Sequence, residues 1–264
     1  MPPADGGPSP GQALVLGLLH GPAELLPISS SAHTALLPWL AGWSYAELDG
    51  AAHKDFEIAL HAGTGVALAL RLRAWQPPDR RRLGLIAAAL APAALAGMLF
   101  ERAIERRLGG PGVNAAGLLA GAAALALADR APAGGTRELE QADWRDGLAL
   151  GLAQAVALAP GVSRNGATLA AARARGFARA DAHTLSWTVG LPVIVAPLLL
   201  RGARLAVDAP PGTALGAGAA FASSWLTAGA LRRERMRERS LLPFALYRCA
   251  LAAVVLAVRR RRAQ

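Results

Sequence analysis

Apolar residues along most of this chain come in continuous low-charge runs, at roughly 56–70, 83–100, 112–128, 184–200, 212–231 and 241–258. The longer ones approach the ~20 residues that an α-helix needs to cross a bilayer. Two stretches break the pattern. Gly17 to Thr34 and Gly151 to Thr168 place hydroxyl, carboxylate, imidazole and guanidinium groups inside otherwise apolar sequence. Such groups are costly in hydrocarbon, so they face a protein interior or a wet cavity and mark a site. Pro22 and Pro27 in the first stretch, and Pro160-Gly161 in the second, interrupt helical hydrogen bonding part-way across. Broken backbone at membrane depth survives where it is buried in protein or lines a cavity, so re-entrant helix pairs are expected there.

The two stretches are copies of one another. At an offset of 134, Gly17 matches Gly151, His20 matches Gln154, Ser29 matches Ser163 and Thr34 matches Thr168. At an offset of 129, Glu57 falls on Ser186 and Gly63 on Pro192. The runs 83–100 and 112–128 then pair with 212–231 and 241–258. The expected fold is one all-α polytopic membrane domain over 1–264, with repeat halves at about 11–130 and 145–260. Each half would hold a broken re-entrant pair followed by three spans, and an odd number of spans inverts the second half relative to the first. The site should lie between the halves.

Composition agrees: 53% of the 264 residues are hydrophobic, a poor fit to a soluble domain. The formal charge of +10 would suggest nucleic acid in a soluble protein. Here the arginines cluster in connectors, at Arg80–Arg82, Arg232–Arg235 and Arg259–Arg262, where flanking positive charge sets membrane topology. No basic segment carries the aromatics or fold motif that base recognition needs, so no nucleic-acid partner is expected. The only cysteine, Cys249, rules out an intramolecular disulfide. The N-terminus lacks a positive n-region, so the first apolar stretch is expected to be retained.

Ser29, Ser30 and Ser31 follow Pro27, and Ser163 follows Pro160-Gly161, as residues at the start of a helix would. A helix N-terminus offers unpaired N–H groups and a positive dipole end to an anion such as phosphate. Serines can also be mere caps. Glu24, His33 and Arg164 are not needed for capping, and their company favours a site. Glu57, an acid in an apolar run, is either a further functional group or a structural partner for Arg164.

Glu24-Leu-Leu-Pro-Ile-Ser-Ser-Ser-Ala-His33 resembles the signature of the undecaprenyl-diphosphate phosphatases, also called the bacitracin-resistance family. Pro160-Gly-Val-Ser-Arg-Asn-Gly-Ala-Thr168 resembles that family's second motif. Phe56-Glu57 through Gly63, and Ser186 through Pro192, look like two further patches of it. The resemblance implies a multi-pass enzyme of the bacterial plasma membrane that removes the terminal phosphate of a C55 polyprenyl diphosphate to recycle the carrier for cell-wall synthesis. Its site would open to the outer face, a divalent cation would support activity, and its partners would be the lipid, the membrane and at most a second copy of the chain.

By the same resemblance Glu24, Ser30, His33 and Arg164 are catalytic, and Ser29, Ser31, Ser163, Asn165 and Thr168 bind substrate. Ser30 or His33 is the nucleophile, with Glu24 or His33 as base. His20 stands where the family usually has Glu or Gln, so the metal pair is an imidazole and a carboxylate, His20 and Glu24, one turn apart. Mg²⁺ or Ca²⁺ is the expected cation, and Mn²⁺ enters because imidazole suits transition metals. Ala32 and Asn165 are milder departures. His61 and His183 match no role and read as packing or surface. Inverted repeats with broken helices also suit a transporter, so a polyprenyl-phosphate flippase is the alternative.

Overall fold

A computed structural model describes residues 7–47, 50–71, 79–132, 135–209, 212–231 and 239–264. The Arg232–Arg235 cluster lies outside them. The described residues form ten α-helices and no strand: α1 Pro10–Leu25, α2 Ser30–Ala41, α3 Gly50–Arg71, α4 Arg80–Arg107, α5 Pro111–Asp129, α6 Trp144–Val156, α7 Arg164–Ala174, α8 Arg179–Asp208, α9 Thr213–Leu231 and α10 Leu242–Arg262. Four stretches among them are long and apolar enough to cross a membrane: Arg80–Phe100, Pro111–Asp129, Thr213–Leu231 and Leu242–Arg262. Outward-facing Met98, Leu99, Phe100, Leu226 and Leu246 leave a large apolar surface of the kind that faces lipid in a membrane protein.

The helix starts repeat as the sequence does. Ser9 caps α1 in a capping box with Gln12, and Asp143 caps α6 in a box with Asp146, each residue 134 positions after its counterpart. Ser29 and Ser163 cap α2 and α7, accepting from the backbone N–H of Ala32 and Gly166. A capping side chain satisfies an N–H that the first helical turn leaves without a partner.

Packing crosses between the halves: α1 lies against α9, and α6 against α4. Glycine sets both contacts. A Cβ on Gly17 or Gly21 would strike the backbone of α9, and one on Gly147 or Gly151 would strike that of α4. Where lipid removes the hydrophobic drive between helices, such close approach is what holds them together. Apolar clusters fill the remaining space. Leu16, Phe56, Leu60 and Ala220 join α1, α3 and α9, while Ala32, Leu36, Leu118 and Val255 join α2, α5 and α10.

Candidate active site

The α1–α2 and α6–α7 turns meet in the interior. Pro22 leaves α1 only one more turn, and the chain re-enters helix at Ser30. The second motif does the same through Gly161 and Ser163. Arg248, from α10, ties the two turns together. Its fully buried guanidinium donates to the carbonyls of Pro27 at 3.1 Å and Gly161 at 2.9 Å, and to those of Gly117 and Leu118 on α5. Asn165 adds a second tie, donating to the Leu25 carbonyl at 2.7 Å.

At this junction Glu24 is the hub. One carboxylate oxygen, Oε1, accepts from Arg164 at 2.5 Å, and the other, Oε2, accepts from the Ser30 hydroxyl. His61 Nε2 lies 3.5 Å from the same Oε2. Carboxylate and guanidinium are largely buried, at 7% and 14% exposure, so their attraction is weakly screened. The carboxylate partner of Arg164 is therefore Glu24. Glu57, offered by the sequence as that partner, accepts instead from the Thr34 hydroxyl at 2.6 Å. A cavity of about 370 Å³ adjoins that pair, lined also by Trp39, Tyr45, Lys54 and Asn114.

His33 sits on α2 with both ring nitrogens engaged. Nδ1–H donates to the Ser29 carbonyl at 2.7 Å, and Nε2 accepts from the Tyr247 hydroxyl at 2.6 Å. His20 is buried on α1, with Nδ1 3.0 Å from the Thr64 hydroxyl, which in turn bonds Ser224 at 2.8 Å. Its Nε2 has no partner.

The residues expected to touch substrate also have partners within the protein. Ser29 and Ser163 accept capping bonds at their hydroxyl oxygens, and Ser31 lies 3.4 Å from Ser29. Thr168, fully buried, bonds Ser186 at 2.6 Å, and Ser186 donates to the Asn165 carboxamide oxygen at 2.6 Å. Asn165, Thr168 and Ser186 thereby link the second turn, α7 and α8.

His61 corrects the sequence reading. Assigned there to packing or surface, it belongs to the Glu24 cluster, with His20, Glu24 and His61 each offering a donor atom within 4.8 Å of the others. Its spacing of four from Glu57 on one helix was the available signal. Tyr247 and Arg248 were missed as well. Arg248 carries the signal of a lone charge inside an apolar run; nothing local points to Tyr247.

Comparison with known proteins identifies the family. Residues 13–254 match the family described as "Bacitracin resistance protein BacA". The chain is similar to proteins named undecaprenyl-diphosphatase: 38% identical to one from Geobacter sulfurreducens, over 93% of this chain and 96% of that one. It is 34% identical to one from Geobacter metallireducens, over 94% and 97%, and 36% identical to one from Gemmatimonas aurantiaca, over 93% and 96%. The chain belongs to the bacitracin resistance protein family.

Proposed function

From that membership we propose that the protein is an undecaprenyl-diphosphatase of the bacterial plasma membrane, in which Ser30 attacks the terminal phosphate and Glu24 takes its proton. The observation that carries this mechanism is the continuous chain Ser30–Glu24–Arg164, which joins a hydroxyl, a base and a cation from two distant motifs. The flippase alternative is not favoured, since the relatives are named as hydrolases.

A serine hydroxyl is a weak nucleophile until a base removes its proton. Glu24 already accepts that hydrogen bond, so it is the base; His33, with both nitrogens engaged, orients the start of α2. The Ser30 oxygen forms a bond to the terminal phosphorus as the anhydride P–O bond breaks. Undecaprenyl phosphate leaves, and water then frees inorganic phosphate from the phosphoserine. Arg164 turns from Glu24 to the phosphate oxygens, where its planar fork offsets the charge. The N–H groups of α2 and α7 add positive potential at the same point.

The residues suit a divalent cation beside Glu24, because the buried His20 nitrogen lacks any protein partner. When bound, a cation neutralises diphosphate charge. Every residue named comes from one chain, so a homodimer is not required to complete the site.

The repeat supports an inverted arrangement with re-entrant α1–α2 and α6–α7 pairs. Caps recur at an offset of 134, and α1 on α9 mirrors α6 on α4, an exchange between halves that a two-fold axis in the membrane plane produces. The site would then open to the outer face.

The test is phosphate release from undecaprenyl diphosphate by purified protein in detergent, with Mg²⁺, Ca²⁺, Mn²⁺ or chelator. Turnover that disappears in Ser30→Ala, with acid-stable phosphate trapped on residue 30 of the wild type, is the expected result. Ordinary activity in Ser30→Ala would remove the serine from the mechanism.

A further inference from the structure

We propose that His20, Glu24 and His61 together form a two-histidine, one-carboxylate site for a divalent transition metal, with His61 supplying the third ligand from α3. The inference deepens the cation requirement proposed above, and rests on the diphosphatase reading only for what the metal serves.

Three observations converge. First, the donor atoms of these residues lie within 4.8 Å of one another, and no other set of three or more histidine, cysteine or acidic side chains among the described residues meets that condition. His61 Nε2 and Glu24 Oε2 are 3.5 Å apart, close to the ~3.4 Å edge of a tetrahedron with ligand bonds near 2.1 Å.

Second, both imidazoles are held by their far nitrogens. His61 Nδ1–H donates to the Glu57 backbone carbonyl at 2.8 Å, which leaves a lone pair on Nε2. His20 Nδ1 is held by Thr64, itself braced by Ser224 across on α9. An oxygen on the outer ring nitrogen fixes the tautomer and aims the inner one, as metal-ligating histidines are usually arranged. The rings stand edge to face with centroids 4.6 Å apart, and each keeps a donor nitrogen within reach of the Glu24 carboxylate.

Third, His20 Nε2 is an orphan. The residue is 1% exposed, and a buried ring nitrogen without a partner carries a desolvation cost that a bound metal would remove.

Donor chemistry decides the ion. Mg²⁺ and Ca²⁺ prefer oxygen ligands, whereas imidazole suits Zn²⁺, Co²⁺, Ni²⁺ and Cu²⁺. Two imidazoles and one carboxylate leave coordination positions open for water or phosphate oxygen. Glu24 is shared without conflict: before substrate arrives Oε1 is held by Arg164, and Oε2 has a second lone pair beside the one that accepts from Ser30.

The experiment uses the full chain in detergent, stripped with chelator and titrated with Co²⁺. One equivalent per chain is expected, with visible d–d bands of low coordination number that Zn²⁺ abolishes and millimolar Mg²⁺ does not. His20→Gln and His61→Gln should each weaken Co²⁺ binding by more than about tenfold, and Thr64→Val should weaken it by about ten- to a hundredfold while keeping both ligands. His53→Gln, on α3 outside the cluster, should bind as wild type does; size-exclusion profiles check that each variant is folded. Sub-stoichiometric Co²⁺ without d–d bands, or unaltered binding in folded His61→Gln, overturns the site. Stoichiometric binding that needs both imidazoles sustains it even in a preparation that hydrolyses no undecaprenyl diphosphate, a failure that would fall on the activity alone.

Discussion

At the first turn the chain passes from α1 to α2 through Ser29 at φ 75°, left-handed backbone on a residue that carries a Cβ. At the second it passes from α6 to α7 through Gly161 at φ 86°, where no Cβ is present and one would strike the Asn114 backbone. The first turn keeps an ordinarily unfavourable conformation in order to deliver Ser30, beside Glu24 and three residues before His33. The second delivers one cation, Arg164, and surrounds it with bonds that end within the protein: Asn165 to Leu25, Ser186 to Asn165 and Thr168 to Ser186. The helix starts differ too. Ser9 and Gln12 make an exposed box of neutral groups, whereas Asp146 in the second box is fully buried between Arg137 and Arg175. The two turns share one pattern of caps; on the mechanism proposed above the chemistry sits on the first, and the second supplies its anchor and counter-charge.

The sharpest way to break this division is Glu24→Gln. The amide keeps the shape, cannot take the Ser30 proton and does not neutralise Arg164. Phosphate release should fall by roughly 10²–10⁴-fold, the usual contribution of a general base. A tenfold loss or less would move the chemistry away from the first turn.

Arg164→Lys tests the second copy's one reacting contribution. Charge is kept, but lysine has no fork for two phosphate oxygens. The expected loss is about 2–4 kcal/mol of transition-state stabilisation, or roughly a hundredfold or more in kcat/KM. Near wild-type turnover would reduce Arg164 to a structural partner of Glu24.

Asp146→Asn addresses anchoring. Burial pushes the Asp146 carboxyl up, but hydrogen bonds from Arg137, the Asp143 N–H and Arg175 outweigh it and hold the group below the usual aspartate range. A depressed carboxyl contributes stability above its unfolded value of about 3.9, and that contribution is lost as pH falls through the lower folded value. At pH 7 the variant should unfold at a lower temperature than wild type in detergent, with kcat nearly unchanged in the folded fraction. The gap should narrow only below about pH 4. A gap independent of pH would mean that the ion pairs do not stabilise this end of α6.

The smallest effects separate the turns themselves. Ser29→Gly loses a cap worth a few tenths of a kcal/mol against glycine and relieves a left-handed residue, so stability should change by less than about 1 kcal/mol. Gly161→Ala meets both the positive φ and the Asn114 carbonyl, and should cost about 1–3 kcal/mol. Equal costs, read from thermal midpoints, would erase the distinction drawn between the two turns.

Much of this was legible in the sequence. Prolines in apolar runs marked both turns, the 134-residue offset marked the duplication, and charge inside hydrocarbon marked Glu24, Arg164 and Glu57. What stayed hidden came from the faces of the long apolar helices. Hydrophobic periodicity does not phase α3 or α10 against their neighbours, so only the spacing of His61 from Glu57 hints at its place beside Glu24, and nothing marks the half-exposed Tyr247 as the partner of His33. The commitment of Thr168 and Asn165 to protein partners was hidden for a related reason: a hydroxyl or amide near a phosphate motif reads the same whether its bonds go to substrate or to Ser186 and Leu25.

Arg248 lies in α10, and its guanidinium donates to the carbonyls of residues 27, 117, 118 and 161. A ribosome delivers those carbonyls long before it delivers their donor. During synthesis both turns are made before the group that braces them, and the bonds from Arg248 to the two turns can form only once α10 has been made. A chain cut before Leu242 would thus retain every residue of the proposed chemistry while lacking the clasp that joins the two turns.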